Sequence, residues 1–149
     1  MTPDIIYFFM DYIDFHRHSM KHTNEKAIGG IVEGLIDKDE TVTWEAKHFG
    51  IKQTLTSVIS EFDYGNNFTD VMIKGPFKSI THQHIFRFTM GKTMMQDRFS
   101  YEIPFGFLGR LFDYLFLNIY LKKLLVRRNL ALKNAAESEE WRQFLKQIS

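Results

Sequence analysis

The stretch from Phe107 to Val126 constrains this chain more than any other: Phe-Leu-Gly-Arg-Leu-Phe-Asp-Tyr-Leu-Phe-Leu-Asn-Ile-Tyr-Leu-Lys-Lys-Leu-Leu-Val. No proline interrupts it, and leucine, phenylalanine and lysine at this density favour helix. It is long enough to span a bilayer, but Arg110, Asp113, Lys122 and Lys123 would each cost about 2.5–3.5 kcal/mol at membrane depth. The reading is therefore a helix of a soluble fold. At 100° per residue its apolar side chains run nearly all the way round, and such a helix is expected to be covered on more than one side. The rest of the chain has to supply the wrapping.

With 149 residues and no cysteine, the chain is expected to form one domain over 1–149, large enough for a core without staples. The missing cysteines exclude disulfides, thiolate chemistry and cysteine-based zinc sites. A net charge of +1, with both signs mixed throughout, gives no field to attract nucleic acid, and none is expected as a partner. No basic segment precedes an apolar core at the N-terminus, so the expected compartment is the cytoplasm. Fifteen phenylalanines and seven methionines are the bulky, adaptable side chains that suit a large core or the lining of an apolar cavity.

Thr2-Pro3-Asp4 reads as a helix start, with a capping hydroxyl and proline in the first turn. Ile5, Ile6, Phe8, Phe9, Tyr12, Ile13 and Phe15 continue an amphipathic helix, with a further turn over Arg17 to Lys21. His18 and His22 share a helical face, but no carboxylate stands at a ligating offset, and with His16 they read as a solvated cluster. From Ala27 the pattern becomes that of strands. Ala27–Ile36 is rich in glycine and expected to be strongly curved. Thr41–Phe49, Ile51–Phe62, Phe68–Lys74, Ser79–Thr89 and Thr93–Ile103 follow, separated by turn residues, with Gly91-Lys92 as a hairpin turn. Six strands joined by short turns predict an antiparallel meander. Such a sheet needs a cover for its apolar face, and the long helix needs a wrapping. The sheet is expected to curl around the helix, leaving an elongated space between them. Glu137 to Ser149 reads as a polar tail with a turn or two of helix.

An ordered series of residues carries a family resemblance. It comprises Trp44-Glu45-Ala46-Lys47-His48-Phe49-Gly50, Phe68-x-Asp70-x-Met72-x-x-Gly75-x-Phe77, and His82-x-His84-x-Phe86. It continues with Thr93-Met94-Met95-Gln96-Asp97, Tyr101, Pro104-Phe105-Gly106-Phe107-Leu108-Gly109 and Arg127-Arg128. The series resembles the bacterial ligand-binding branch of the SRPBCC superfamily, which also holds START domains, polyketide cyclases and pollen-allergen-type proteins. The resemblance implies an α+β helix-grip fold: a seven-stranded antiparallel sheet around a long C-terminal helix, with an apolar cavity between. Family members carry a strand before the first helix, and this sequence has only Met1 there. The strand is either absent or upstream. Its absence would leave sheet edges unpaired and favour a homodimer.

Strand alternation sends His48, Ser57, Asp70, His82, His84 and Asp97 to the same face as Trp44 and Phe86. Four readings remain open for this polar set. It is a structural network in which Asp70 or Asp97 orients the histidines. It is a patch that fixes the head group of a ligand. It is a general base built from a histidine and an aspartate. Last, it is a metal site of His82, His84 and Asp97. No cofactor is assigned. Met72, Phe77, Met95, Phe99 and Tyr101, with Trp44 and Phe86, read as cavity walls, against the alternative of plain core. The function expected is binding of a small hydrophobic or lipid-like molecule between sheet and helix. The rival is an enzyme of cyclase, dehydratase or hydrolase type using a His–Asp pair, and a ligand-free structural role is the third. The surplus apolar face of the long helix is expected to meet the first helix, loops or a second subunit. A membrane surface, with Lys122, Lys123, Arg127 and Arg128 on anionic headgroups, ranks behind these.

Overall fold

The computed structural model describes residues 13–138 and 141–142. The helix start at Thr2-Pro3-Asp4 and most of the C-terminal tail lie outside the described residues. Helix α1 (Ile13–Ser19) and a 3₁₀ turn (Lys21–Thr23) lead into β1 (Lys26–Gly30). Then come β2 (Thr41–His48), β3 (Ile51–Asp63), β4 (Asn67–Lys74), β5 (Ser79–Thr89) and β6 (Lys92–Glu102). The six pair in sequence order into one antiparallel sheet. A continuous helix follows in three parts, α2 (Gly106–Phe112), a π-helical turn (Asp113–Leu117) and α3 (Asn118–Glu137). The curved sheet and long C-terminal helix make a helix-grip fold.

Two hairpins close through residue pairs with positive φ, the geometry that matches strand twist. Phe49 and Gly50 have φ of 51° and 74°, and Met90 and Gly91 have 52° and 75°. The second turn is therefore Met90-Gly91, one residue earlier than expected, because Thr89 pairs with Lys92. Strand β1 ends at Gly30, well short of Ile36. Its register shifts between Ala27 and Gly29, and Gly30 turns to φ 67° with a Cβ position 2.1 Å from the Thr41 carbonyl oxygen. Backbone that tight admits only glycine, and it takes the chain off the sheet.

The apolar core gathers Ile13, Ile36, Val42, Trp44, Ile59, Phe68 and Phe86, with Ala27, Ile31, Leu55, Phe62 and Met95 packed against it. Helix α1 is tied to this end by Ile13 N–H donating to the Gly34 carbonyl (2.9 Å) and by Asp14 accepting from Gly34 N–H (3.0 Å). The long helix presents to the sheet a stripe at three- and four-residue spacing: Gly109, Asp113, Leu117, Tyr120 and Leu121, Leu124 and Leu125, Arg128, Leu132 and Ala135. Its opposite face is exposed although apolar, with Phe107 at 70%, Leu108 at 72% and Phe116 at 56%. The expected covering on more than one side is met in part among the described residues, where α1 packs against α3.

Candidate functional site

The polar set is built on three adjacent strands. On β5, His82 and His84 are two residues apart and so share the concave face. Asp70 on β4 is paired with His82, and Asp97 on β6 with His84. From the long helix Arg128 and Asn129 reach the same place. The Nδ1–H of His84 donates to Asp97 Oδ1 at 2.8 Å, while its Nε2 stands 3.1 Å from Asp70 Oδ2. His82 lies between the same carboxylates, with Nδ1 3.9 Å from Asp70 Oδ2 and Nε2 3.5 Å from Asp97 Oδ1. Asp97 Oδ2 accepts from Asn129 Nδ2 at 2.6 Å and from Arg128 Nη2 at 3.4 Å. Arg128 Nη2 is also 3.4 Å from His84 Nδ1, but that nitrogen is committed to Asp97 by the shorter contact. His84 is only 2% exposed and Arg128 8%, whereas the Asp70 side chain keeps 25%.

Burial acts to raise both carboxyls, but their surroundings outweigh it. The close approach of His82 Nε2, the hydrogen bond from His84 and the charge of Arg128 hold Asp97 well below its ordinary range. Asp70 is lowered by the His84 contact and by the positive charge of its neighbours. Burial, then the charge of His84, pushes His82 down to about 4 against the pull of Asp97 and Asp70. Asp70, His82 and Arg128 border a cavity of about 600 Å³ between sheet and helix. The remaining wall is mostly apolar, with Trp44, Leu55, Phe77 and Ile80 from the sheet side and Leu117, Leu121 and Leu124 from the helix. At another part of the wall His48 Nδ1 and the Tyr120 hydroxyl share a 2.6 Å hydrogen bond. Burial lowers His48 and raises Tyr120.

Of the residues expected at the site, Trp44, His48, Asp70, Phe77, His82 and Phe99 line this cavity. His84 and Asp97 stand directly behind His82 and Asp70, in contact with them but not on the wall. Phe86 and Met95 go elsewhere, into and against the core at the α1 end. Met72 pairs with Ser57 at the sheet and packs its sulfur close to Gly75. Tyr101 borders a separate cleft with Lys78, Glu102 and Arg110, and its hydroxyl donates to Asp113 at 2.6 Å. Among the described residues, the set whose donor atoms converge as metal ligands would is Asp70, His82 and His84. Asp70, not Asp97, completes it, because Asp97 faces the opposite ring nitrogens. The His18 and His22 pair belongs to no such set among the described residues.

Sequence reading missed Arg128, Asn129 and Tyr120 as members of the site. Arg128, expected on the surface, is buried against Asp97. The signal lay in its register: it continues the stripe Leu117, Leu121, Leu124, Arg128, Leu132, and a cation inside an inward-facing stripe needs a buried counter-charge.

No family model matches the sequence, and no curated protein matches it. Solved structures do. The crystal structure of TTHA0849 from Thermus thermophilus superposes with a TM-score of 0.69 at 17% identity, over 92% of each chain. That of Ara h 8.0201 superposes with a TM-score of 0.55 at 9% identity, over 89% of this chain and 93% of the other. The chain therefore shares the helix-grip fold of these structures. No helix among the described residues is long and apolar enough to cross a membrane.

Proposed function

We propose that this protein binds a small, largely apolar molecule carrying one polar head group, in the cavity between the sheet and the long helix. The observation that carries this reading is the cavity's lining, mostly apolar with a charged cluster at one part and further polar groups, among them His48 and Glu25, elsewhere on the wall. About 600 Å³ of mostly apolar space has Asp70, His82 and Arg128 concentrated at one part of the wall, and that volume lies within the range of small-molecule sites. Arg128 at this part of the wall supplies a cation for an anionic or acceptor head group. The fold supports the same reading, since helix-grip proteins commonly hold apolar ligands. Titration with 1-anilinonaphthalene-8-sulfonate is expected to saturate at one dye per chain. Leu124→Trp, which fills the cavity from the helix, is expected to weaken the dye at least about tenfold, since a well-packed site cannot absorb the added volume. Dye binding unchanged by Leu124→Trp would overturn the reading.

An enzyme of cyclase, dehydratase or hydrolase type is the second reading, favoured by the His–Asp contacts beside an open cavity. Against it stands the protonation of the pair: His82, the histidine on the wall, is held near 4, which makes a weak base at neutral pH. We also propose that the protein self-associates, a second copy covering the outward face of the long helix.

A further inference from the structure

We propose that Asp70, His82 and His84 form a binding site for a divalent first-row transition-metal ion at the polar end of the cavity. One donor atom from each lies within 4.8 Å of the others. Metal bonds of about 2.1 Å space neighbouring ligands about 3.0–3.4 Å apart; Asp70 Oδ2 stands 3.1 Å from His84 Nε2, within that range, and 3.9 Å from His82 Nδ1, which would have to close by about 0.5 Å.

The hydrogen bonding behind the three residues has the form that metal sites use. A ligating histidine normally donates its other ring N–H to a carboxylate, which fixes its tautomer. Asp97 Oδ1 faces the outer nitrogens of both rings, 2.8 Å from His84 Nδ1 and 3.5 Å from His82 Nε2. Asn129 and Arg128 hold Asp97 in turn. On the inward side His84 Nε2 and Asp70 Oδ2 stand 3.1 Å apart, a contact in which a metal ion would take the place of the shared proton. Two imidazoles and one carboxylate suit zinc, cobalt or ferrous iron better than magnesium or calcium. Asp70 and His82 border the cavity, so the open coordination positions face it, where a ligand's head group would sit.

The site does not depend on the apolar ligand reading, and the two are separable. Chelator-stripped protein is titrated with Co²⁺, following its visible absorption, with Zn²⁺ as competitor. One Co²⁺ per chain is expected, displaced by Zn²⁺. Asp70→Asn and His82→Gln, each checked for an unchanged thermal melt, should weaken it about 100-fold, the upper end for disturbing a metal shell. A His18→Ala/His22→Ala double variant should bind as the parent does. No saturable Co²⁺ binding, binding indifferent to Asp70→Asn and His82→Gln, or binding lost in the double variant would each overturn the site. A protein that takes Co²⁺ but not dye upholds the site while the ligand reading falls, and the converse holds equally.

Discussion

Asp97 is the residue on which the cluster turns. It is the acceptor for His84, Asn129 and Arg128 together, and its side chain is nearly sealed. Removing one partner of a buried ionic network leaves the others with uncompensated charge, at a cost of about 3–5 kcal/mol. Asp97→Asn is therefore expected to lose stability of that order in urea unfolding. A neutral change at a surface carboxylate such as Asp63 should cost less than about 0.5 kcal/mol. His82 adds a pH dependence whose sign follows from its depressed value. In the unfolded chain it takes a proton as pH falls through 6.5, and in the fold only near 4. The unfolded state thus binds more protons across that window. Stability is complete above pH 6.5 and is lost as pH falls toward 4, by at most about 3 kcal/mol. Asp70 and Asp97, both lowered, extend the loss with the same sign below pH 4. Thermal melts of chelator-treated protein should fall from pH 7 to pH 5, and His82→Gln should flatten that slope. The inward direction of His82, His84, Asp70 and Asp97 was legible because a strand's period of two leaves each side chain only one face. Phe86 obeyed the same rule yet lines no cavity. Alternation fixes a face but not the position along it, and at its level the sheet is covered by α1-end core.

At the scale of elements, hairpins were readable where turn chemistry is strict and strand ends were not. Strand β1 shows why: its glycines signalled bending, but the close approach of Gly30 to Thr41 is a property of two strands together. The start of the long helix is similar. Phe105 and Gly106 both take left-handed backbone, φ 70° and 54°, and the helix then rises so close to the preceding segment that a Cβ on Gly109 would stand 2.0 Å from the Pro104 carbonyl oxygen. Backbone cannot swing aside as a flexible side chain would. Gly109→Ala is expected to cost about 1–3 kcal/mol through forced displacement, against the helix propensity gain of about 1 kcal/mol that alanine brings elsewhere. Because Gly109 borders the cavity, the shift should also weaken dye binding. Equal stability and equal dye affinity in the alanine variant would contradict this account of the helix start.

For the whole molecule, the unexplained quantity is the apolar outer face of the same helix. Phe107, Leu108, Leu111, Leu115, Phe116 and Ile119 are all more than 40% exposed, and they recur at helical spacing on one side. A contiguous apolar face of this kind exceeds what monomers ordinarily leave to water and marks an interaction surface. The composition predicted covering on more than one side, and among the described residues this face stays exposed, so the proposed second copy is the occupant to test. A second copy presents the same face, and a two-fold arrangement would bury both at once. Strands β1 and β6, at the ends of the sheet order, offer a competing route through edge pairing, but an edge contact would leave the helix face wet. Sedimentation velocity should show a weight-average coefficient that rises with protein concentration. Phe107→Glu with Phe116→Glu should return it to the monomer value without altering dye or Co²⁺ binding, since neither residue borders the cavity. Association that survives both glutamates would move the interface to the strand edges, and a concentration-independent monomer in the parent would remove it altogether.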